Sequence, residues 1–247
     1  MLKLEPKIEN DGPWAPVIFS DFDGTITQTD VTDAILSQFA DPVWRQVEEE
    51  WVTGRIGSRE CLERQMALVR AEARELNALI DAVPIDPHFA EFSDFTRKAE
   101  IPFYVVSDGF DYVIRRALRN CGLNGELVNG GSRLFSSSMR LSGGRLRVGF
   151  PHGSSSCSHG CATCKPEVMR RAGRGHHPVV FIGDGLSDRF AVEEAGLVFA
   201  KDKLLEYCCD HGISCTPFSS FAEVQAELAE QAGRTWPARG RLARQGQ

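Results

Sequence analysis

The stretch that most constrains this chain is Val17-Ile18-Phe19-Ser20-Asp21-Phe22-Asp23-Gly24-Thr25. Its β-branched and aromatic residues suit a buried strand, and they run directly into a turn that holds two carboxylates. Gly24 lets the backbone turn sharply and come close to a bound group. Acids at the carboxyl end of a strand in an open α/β sheet stand where such sheets bind ligands. Burying them is costly unless a cation, a partner or a reaction uses them. An Asp-rich turn serving ordinary turn chemistry is the plainer alternative, so the rest of the chain has to supply the partners.

The same grammar recurs twice. Phe103 to Val106 reads as a second buried strand; it ends at Ser107-Asp108-Gly109 and opens a helix with Phe110, Val113, Ile114, Ala117 and Leu118 facing inward. Val179 to Ile182 reads as a third, ending in Gly183-Asp184-Gly185-Leu186-Ser187-Asp188, with a short strand at Leu197 to Ala200 after it. Strands alternating with helices predict an α/β fold, a Rossmann-like parallel-sheet core whose carboxyl edge gathers the three turns.

Between the first and second strands the pattern is helical throughout, with Trp44, Val47 and Trp51, then Leu62, Met66 and Val69, then Leu76, Leu79 and Ile80 at helical spacing. This predicts an inserted all-helical cap over residues 31–83, set into a discontinuous core of residues 13–30 and 84–232. Residues Gly122 to Phe150 read as a β-hairpin or loop excursion, and Phe221 to Ala232 as a closing helix. The Arg-bearing residues 233–247 read as a disordered tail.

Composition narrows the class. With 247 residues, 42% hydrophobic and 25% charged, this is an ordinary globular chain. A formal net charge of -6 argues against general affinity for nucleic acid. No apolar run approaches the roughly 18 residues that span a bilayer, and the first residues lack a secretory pattern, so a cytoplasmic location is expected. In that setting the eight cysteines are reduced thiols or metal ligands rather than a disulfide framework. Cys157, Cys161 and Cys164, near His152 and His159, have spacing that a zinc ion could use; thiols packed in a loop beside Lys165 are the preferred reading.

Asp21, Asp23, Asp184 and Asp188 crowd carboxylates at one sheet edge, which a hard divalent cation resolves. Mg²⁺ takes a few such oxygens plus water and phosphate, while the Ser107 hydroxyl and Lys165 ammonium suit the remaining phosphate oxygens. An aspartate is then left to act as a nucleophile. The ordered set Asp21-x-Asp23-Gly24-Thr25, Ser107, Lys165 and Gly183-Asp184-x-x-x-Asp188 resembles the four motifs of the haloacid dehalogenase-like hydrolases. That resemblance implies Asp21 as nucleophile, Asp23 as general acid/base, Thr25 and Ser107 as phosphate ligands, and Lys165 as the neutralising cation. It implies Mg²⁺ held by Asp21, Asp184 and the Asp23 backbone carbonyl, with Asp188 at or behind the metal site. An acid at Asp23 favours phosphate-ester cleavage over the dehalogenase and phosphonatase branches.

The insertion after the first motif is similar to the subgroup that contains phosphoserine phosphatase. Pro151-His152, Cys161-x-x-Cys164-Lys165-Pro166 and Phe199-Ala200-Lys201-Asp202 are similar to its methionine-salvage branch. The expected activity is therefore a Mg²⁺-dependent phosphatase working through an aspartyl-phosphate on a small phosphorylated metabolite, with no nucleic acid or membrane partner and a homodimer left open. Ser107-Asp108-Gly109 departs from the Ser-Gly-Gly of that branch and resembles the phosphoethanolamine/phosphocholine phosphatases, where the acid could face an amine. Asp30 falls at the amine-binding acid of phosphoserine phosphatase, whereas its carboxylate-binding arginine aligns with Gln65, next to Arg64. The expected substrate-binding set is thus Thr25, Ser107, Asp108, Gly109 and Asp30, with Arg64 and Gln65 on a solvated cap face. The alternatives are a phosphoamine or phosphoserine phosphatase, and a catalytically idle relative that only binds.

Overall fold

The computed structural model describes residues 15–123 and 133–235. Its central sheet has seven strands, in the order β4-β3-β2-β1-β5-β6-β7. In chain order these are β1 (Val17–Ser20), β2 (Phe103–Phe110), β3 (Leu134–Ser142), β4 (Arg145–Gly149), β5 (Val179–Gly183), β6 (Leu197–Ala200) and β7 (Thr216–Pro217). All neighbouring pairs are parallel except β3 with β4. The chain leaves β1 for β2 on one side and later returns to β5 on the other. The carboxyl end of β1 is therefore a topological switch point, where an open sheet leaves a crevice.

β1 is central because its side chains satisfy both faces. Ile18 joins the cluster that includes Phe89, Phe92, Phe103 and Phe221, while Val17 and Phe19 join the opposite cluster with Met169, Phe181 and Leu204. Alternation with period two divides the strand between two covered faces. On the first face Phe92 packs with ring centroids 5.6 Å from Phe103 and 5.0 Å from Phe221; on the second, Phe19 stacks on Tyr104 at 5.2 Å.

Four helices fill the interval between β1 and the core: α1 (Val31–Phe39), α2 (Trp44–Val52), α3 (Ser58–Ala67) and α4 (Ala73–Asp81). Each breaks where the sequence demands it. Asp30 caps α1 by accepting from the Asp33 amide at 2.9 Å, and Gly54, with φ +75°, ends the turn after α2. The core resumes with α5 (Phe89–Lys98), α6 (Asp111–Asn120), α7 (Lys165–Ala172), α8 (Asp202–Asp210) and α9 (Phe221–Thr235).

Beside the Ala71 amide, which donates to the Gly144 carbonyl oxygen at 3.2 Å, two further sets of contacts hold the inserted helices. Tyr112 on α6 donates to Asn77 on α4 at 2.5 Å, and Arg116 and Asn120 both bond Asp81, each at 2.6 Å. At the other tie, Gly57 lies so near the loop before α7 that a Cβ there would stand 2.4 Å from the Gly160 carbonyl oxygen. Arg59 N–H donates to that same oxygen at 3.1 Å, and Ser58 Oγ accepts from the Ala162 amide at 3.0 Å.

The hairpin expected between residues 122 and 150 exists as β3 and β4, but it is not an excursion. β3 pairs parallel to β2, through Val105–Leu134 and Val106–Phe135, and extends the main sheet. Buried Leu134, Met139 and Leu146 fasten it to the core. Leu127 and Val128 lie outside the described residues, as do the first 14 residues and 236–247 of the expected tail; residues 233–235 continue α9. No helix among the described residues is long and apolar enough to cross a membrane.

Candidate active site

The turn after β1 points its two acids in different directions. Asp21, 5% exposed, has Oδ1 held by the Phe22 amide at 2.7 Å and Oδ2 by Lys165 Nζ at 2.9 Å. A carboxylate fixed on both oxygens by a backbone N–H and an ammonium is preorganised rather than free to rotate. Asp23 faces the cap, accepting from the Val31 amide at 3.3 Å and the Thr32 hydroxyl at 3.4 Å. Burial first, then the negative charges of Asp30 and Asp21, hold its pKa well above the ordinary aspartate value.

Lys165 opens α7 and is 1% exposed. Burial would discharge it, but the charges of Asp188 and Asp21 outweigh burial and keep it an ammonium. Its Nζ meets Asp188 Oδ1 at 2.5 Å and Ser187 Oγ at 3.3 Å. The other Asp188 oxygen accepts from the amides of Asp184 and Gly185 at 3.1 and 3.2 Å, so Asp188 shapes the loop after β5. Thr25 Oγ1 donates to Asp184 Oδ1 at 2.5 Å. Burial and the Asp21 charge push the Asp184 pKa up to about 6.

Among the described residues, the group of three or more acidic, His or Cys side chains whose ligand atoms all lie within 4.8 Å of one another is Asp21, Asp184 and Asp188. Hard oxygen donors that repel one another at this range fit a hard divalent cation. Gly24, at φ +72°, makes this geometry feasible, because a Cβ there would stand 2.2 Å from Asp184 Oδ2. Gly24→Ala is therefore expected to displace Asp184 and to raise the Mg²⁺ concentration needed for half-maximal activity by about 10-fold or more. Titration of activity with Mg²⁺ checks this; an unchanged requirement would separate Gly24 from the metal site.

A cavity of about 230 Å³ lies between this edge and the cap. Asp21, Asp23, Ser107, Asp108, Gly109 and Asp184 line its core side, and Asp30 its rim. The sheet thus brings most of the expected set to one wall. Lys165, Asp188 and Thr25 do not line it; they stand behind the carboxylates they touch. Thr25, expected as a substrate ligand, has its hydroxyl bonded to Asp184 in this structure. Asp30 serves mainly as the α1 cap. Gly109 is required beside Asp23, for a Cβ would meet Asp23 Oδ2 at 2.3 Å, and its amide donates to Ser107 Oγ at 3.0 Å.

Asp108 is already partnered within the protein. One oxygen accepts from the Thr163 amide at 2.8 Å, and the carboxylate also bonds the Ser58 hydroxyl. Thr163 Oγ1 adds a bond to the Ser107 carbonyl at 2.9 Å. The residue thus joins β2, the lysine loop and the cap. In that loop the Cys157 thiol contacts those of Cys161 and Cys164, yet the three do not form a group of mutually close ligand atoms like that of the carboxylates.

The cap wall was harder to foresee. Arg64 is half-exposed and held by Glu50 at 2.8 Å and Glu60 at 3.4 Å, on the solvated face as expected. Gln65 is not: it is 1% exposed and lines the cavity with Glu48, Trp51, Cys61 and Leu62. The signal was present, since Cys61, Leu62, Gln65 and Met66 form one buried helical stripe. Ser58, Thr163 and Ser187 were also missed, because hydroxyls in loops carry no spacing signature.

The chain belongs to the haloacid dehalogenase-like hydrolase family, whose model matches residues 18–193. Two relatives, from Geobacillus kaustophilus and Geobacillus thermodenitrificans, bear the name 2-hydroxy-3-keto-5-methylthiopentenyl-1-phosphate phosphatase. The first is 33% identical over 84% of this chain and 93% of its own length, the second 32% over 86% and 94%. The solved structure of a phospho-aspartyl intermediate analogue of phosphoserine phosphatase is similar with a TM-score of 0.64 at 18% identity. It covers 87% of this chain and 99% of that one, and shares the fold.

Proposed function

We propose that this chain is a Mg²⁺-dependent phosphatase that cleaves a small phosphate ester through an aspartyl-phosphate on Asp21. The substrate in the relatives' name, 2-hydroxy-3-keto-5-methylthiopentenyl-1-phosphate, is our first choice here too. The observation that carries the reading is the pairing of two acids in unlike surroundings. Asp21 is clamped by the Lys165 ammonium at 2.9 Å, while Asp23 is pushed toward its protonated form on the same cavity wall. Pairs of carboxyls whose environments differ in this way divide nucleophile from general acid.

In this mechanism Asp21 attacks phosphorus while Asp23 gives its proton to the leaving oxygen. Asp23 then takes a proton from the water that hydrolyses the aspartyl-phosphate. Ser107 Oγ orients a phosphate oxygen, and Lys165 offsets the charge gathering beside Asp21. Asp188 and Thr25 keep Lys165 and Asp184 in place. Asp21, Asp184 and the Asp23 carbonyl, with Asp188 behind them, would hold Mg²⁺, which would supply charge to offset that of the phosphate. The helices of residues 31–83 act as a cap on a core of residues 13–30 and 84–232, keeping bulk water from the intermediate.

Two alternatives lose support. A phosphoamine substrate would need Asp108 to face it, yet Asp108 is bonded to Thr163 and Ser58. Phosphoserine would need a cation for its carboxylate; among the described residues the cation lining the cavity is Lys203, which already interacts with Asp33.

The test is hydrolysis of the salvage ester, phosphoserine, phosphoethanolamine and p-nitrophenyl phosphate by the Mg²⁺-loaded protein. The salvage ester is expected to have the highest kcat/KM. Chelation by EDTA is expected to stop every reaction, and excess Mg²⁺ to restore it. Full rates in EDTA would overturn the metal-dependent reading, and no turnover of any ester would leave the idle-relative alternative standing.

A further inference from the structure

The cavity has a second wall whose chemistry the hydrolysis does not use. We propose that the buried Gln65, with its half-buried partner Glu48 and the adjoining Trp51–Leu62 surface, selects the leaving group. They would take a neutral one, with hydroxyl or carbonyl oxygens near the phosphate and an apolar end, and reject one that carries a carboxylate. This deepens the phosphatase reading and rests on it.

The pair is costly to keep unless it is used. Gln65 is 1% exposed, and Nε2 donates to Glu48 Oε2 at 2.8 Å; Cys61 Sγ lies 3.8 Å from the same oxygen. Two aliphatic residues would close α2 against α3 with no polar group to desolvate. An amide has two N–H donors and a carbonyl acceptor. With one N–H committed to Glu48, a donor and an acceptor remain for a ligand in the cavity that Gln65 lines. That combination suits a hydroxyl beside a carbonyl, and Glu48 fixes the amide's orientation.

Charge on this wall points the same way. Asp33 and Glu48 line the cavity with Asp30, so an anionic leaving group meets a wall of acids and, there, no arginine among the described residues. The cation closest in sequence, Arg64, is turned outward to Glu50 and Glu60. Lys203, at the cavity margin on α8, interacts with Asp33 across the rim. Beyond the polar pair, Trp51, Leu62 and Cys61 offer a soft apolar surface, to which a thioether or alkyl end is suited. A 5-methylthio group on a hydroxyketone phosphate has both features in one small molecule.

The experiment compares kcat and KM of the Mg²⁺-loaded wild type, Gln65→Leu, Gln65→Asn and Trp51→Ala. The substrates are the hydroxyketo-methylthio ester, p-nitrophenyl phosphate, phosphoserine and phosphoethanolamine, and thermal midpoints are recorded alongside. The ratio of kcat/KM for the first ester to that for p-nitrophenyl phosphate is expected to fall about 10-fold or more in Gln65→Leu, the size of one lost substrate hydrogen bond. Gln65→Asn, one methylene shorter but still polar, is expected to lower the ratio likewise and serves if Gln65→Leu does not fold. Trp51→Ala is expected to raise KM for that ester more than it lowers kcat. Folded variants that leave the ratio unchanged would overturn the assignment, as would a wild type that prefers phosphoserine or phosphoethanolamine. A wild type that hydrolyses none of the esters would instead sink the phosphatase reading beneath it.

Discussion

Asp21→Asn is expected to eliminate turnover, lowering kcat by about 10⁴-fold or more, as loss of a covalent nucleophile does. An asparagine keeps the volume and the bond to the Phe22 amide, so the turn after β1 should keep its shape. Lys165 keeps Asp188 as a counter-charge at 2.5 Å, so the fold is expected to survive. Rapid acid quench of a ³²P-labelled ester should leave label on the wild-type protein and none on the variant. Residual turnover within about 10-fold of wild type would mean that water attacks phosphorus directly, with Asp21 only a ligand.

Lys165→Met has the opposite balance, and its effect on stability is expected to be large. The methionine nearly fills the space, but Asp21 and Asp188, 5% and 0% exposed, lose their shared cation. Removing one partner of a buried ion group costs about 3–5 kcal/mol, because the remaining charges are uncompensated. The loss should be greatest in EDTA and smaller with saturating Mg²⁺, since a cation that binds only the folded carboxylates stabilises that state. Denaturant melts of both proteins, with and without Mg²⁺, measure this directly. Equal stability in EDTA would show that the lysine does not neutralise this cluster.

What the sequence disclosed follows from how each signal arises. β1, β2 and β5 are short apolar runs ending in turns of Gly, Ser and Asp, and both features are local, so the core wall of the cavity was legible. Lys165 was placed by motif order, although nothing local announced that it would be buried. A hairpin was expected where β3 and β4 lie, but its place in the main sheet was not, because it joins through backbone pairing with β2, which no side chain declares. Gln65 was misread because its polarity suggested a solvated face, while its position on the Leu62–Met66 stripe faced inward. Thr25 lies on the expected turn, and its bond to Asp184 was not foreseen. Which way a hydroxyl rotates depends on residue 184, far along the chain, and spacing does not encode it.

The junction at Gly57, Ser58 and Gly160 has a consequence for how such chains diverge. The segment that presents Lys165 is also the floor on which α3 rests, and Asp108 holds both to the end of β2. A helical module transplanted from a relative would arrive without its matching floor, and the lysine would shift with it. New specificity in this lineage would then have to be inherited as a linked pair, insertion and loop together, though about a hundred residues separate them in the chain.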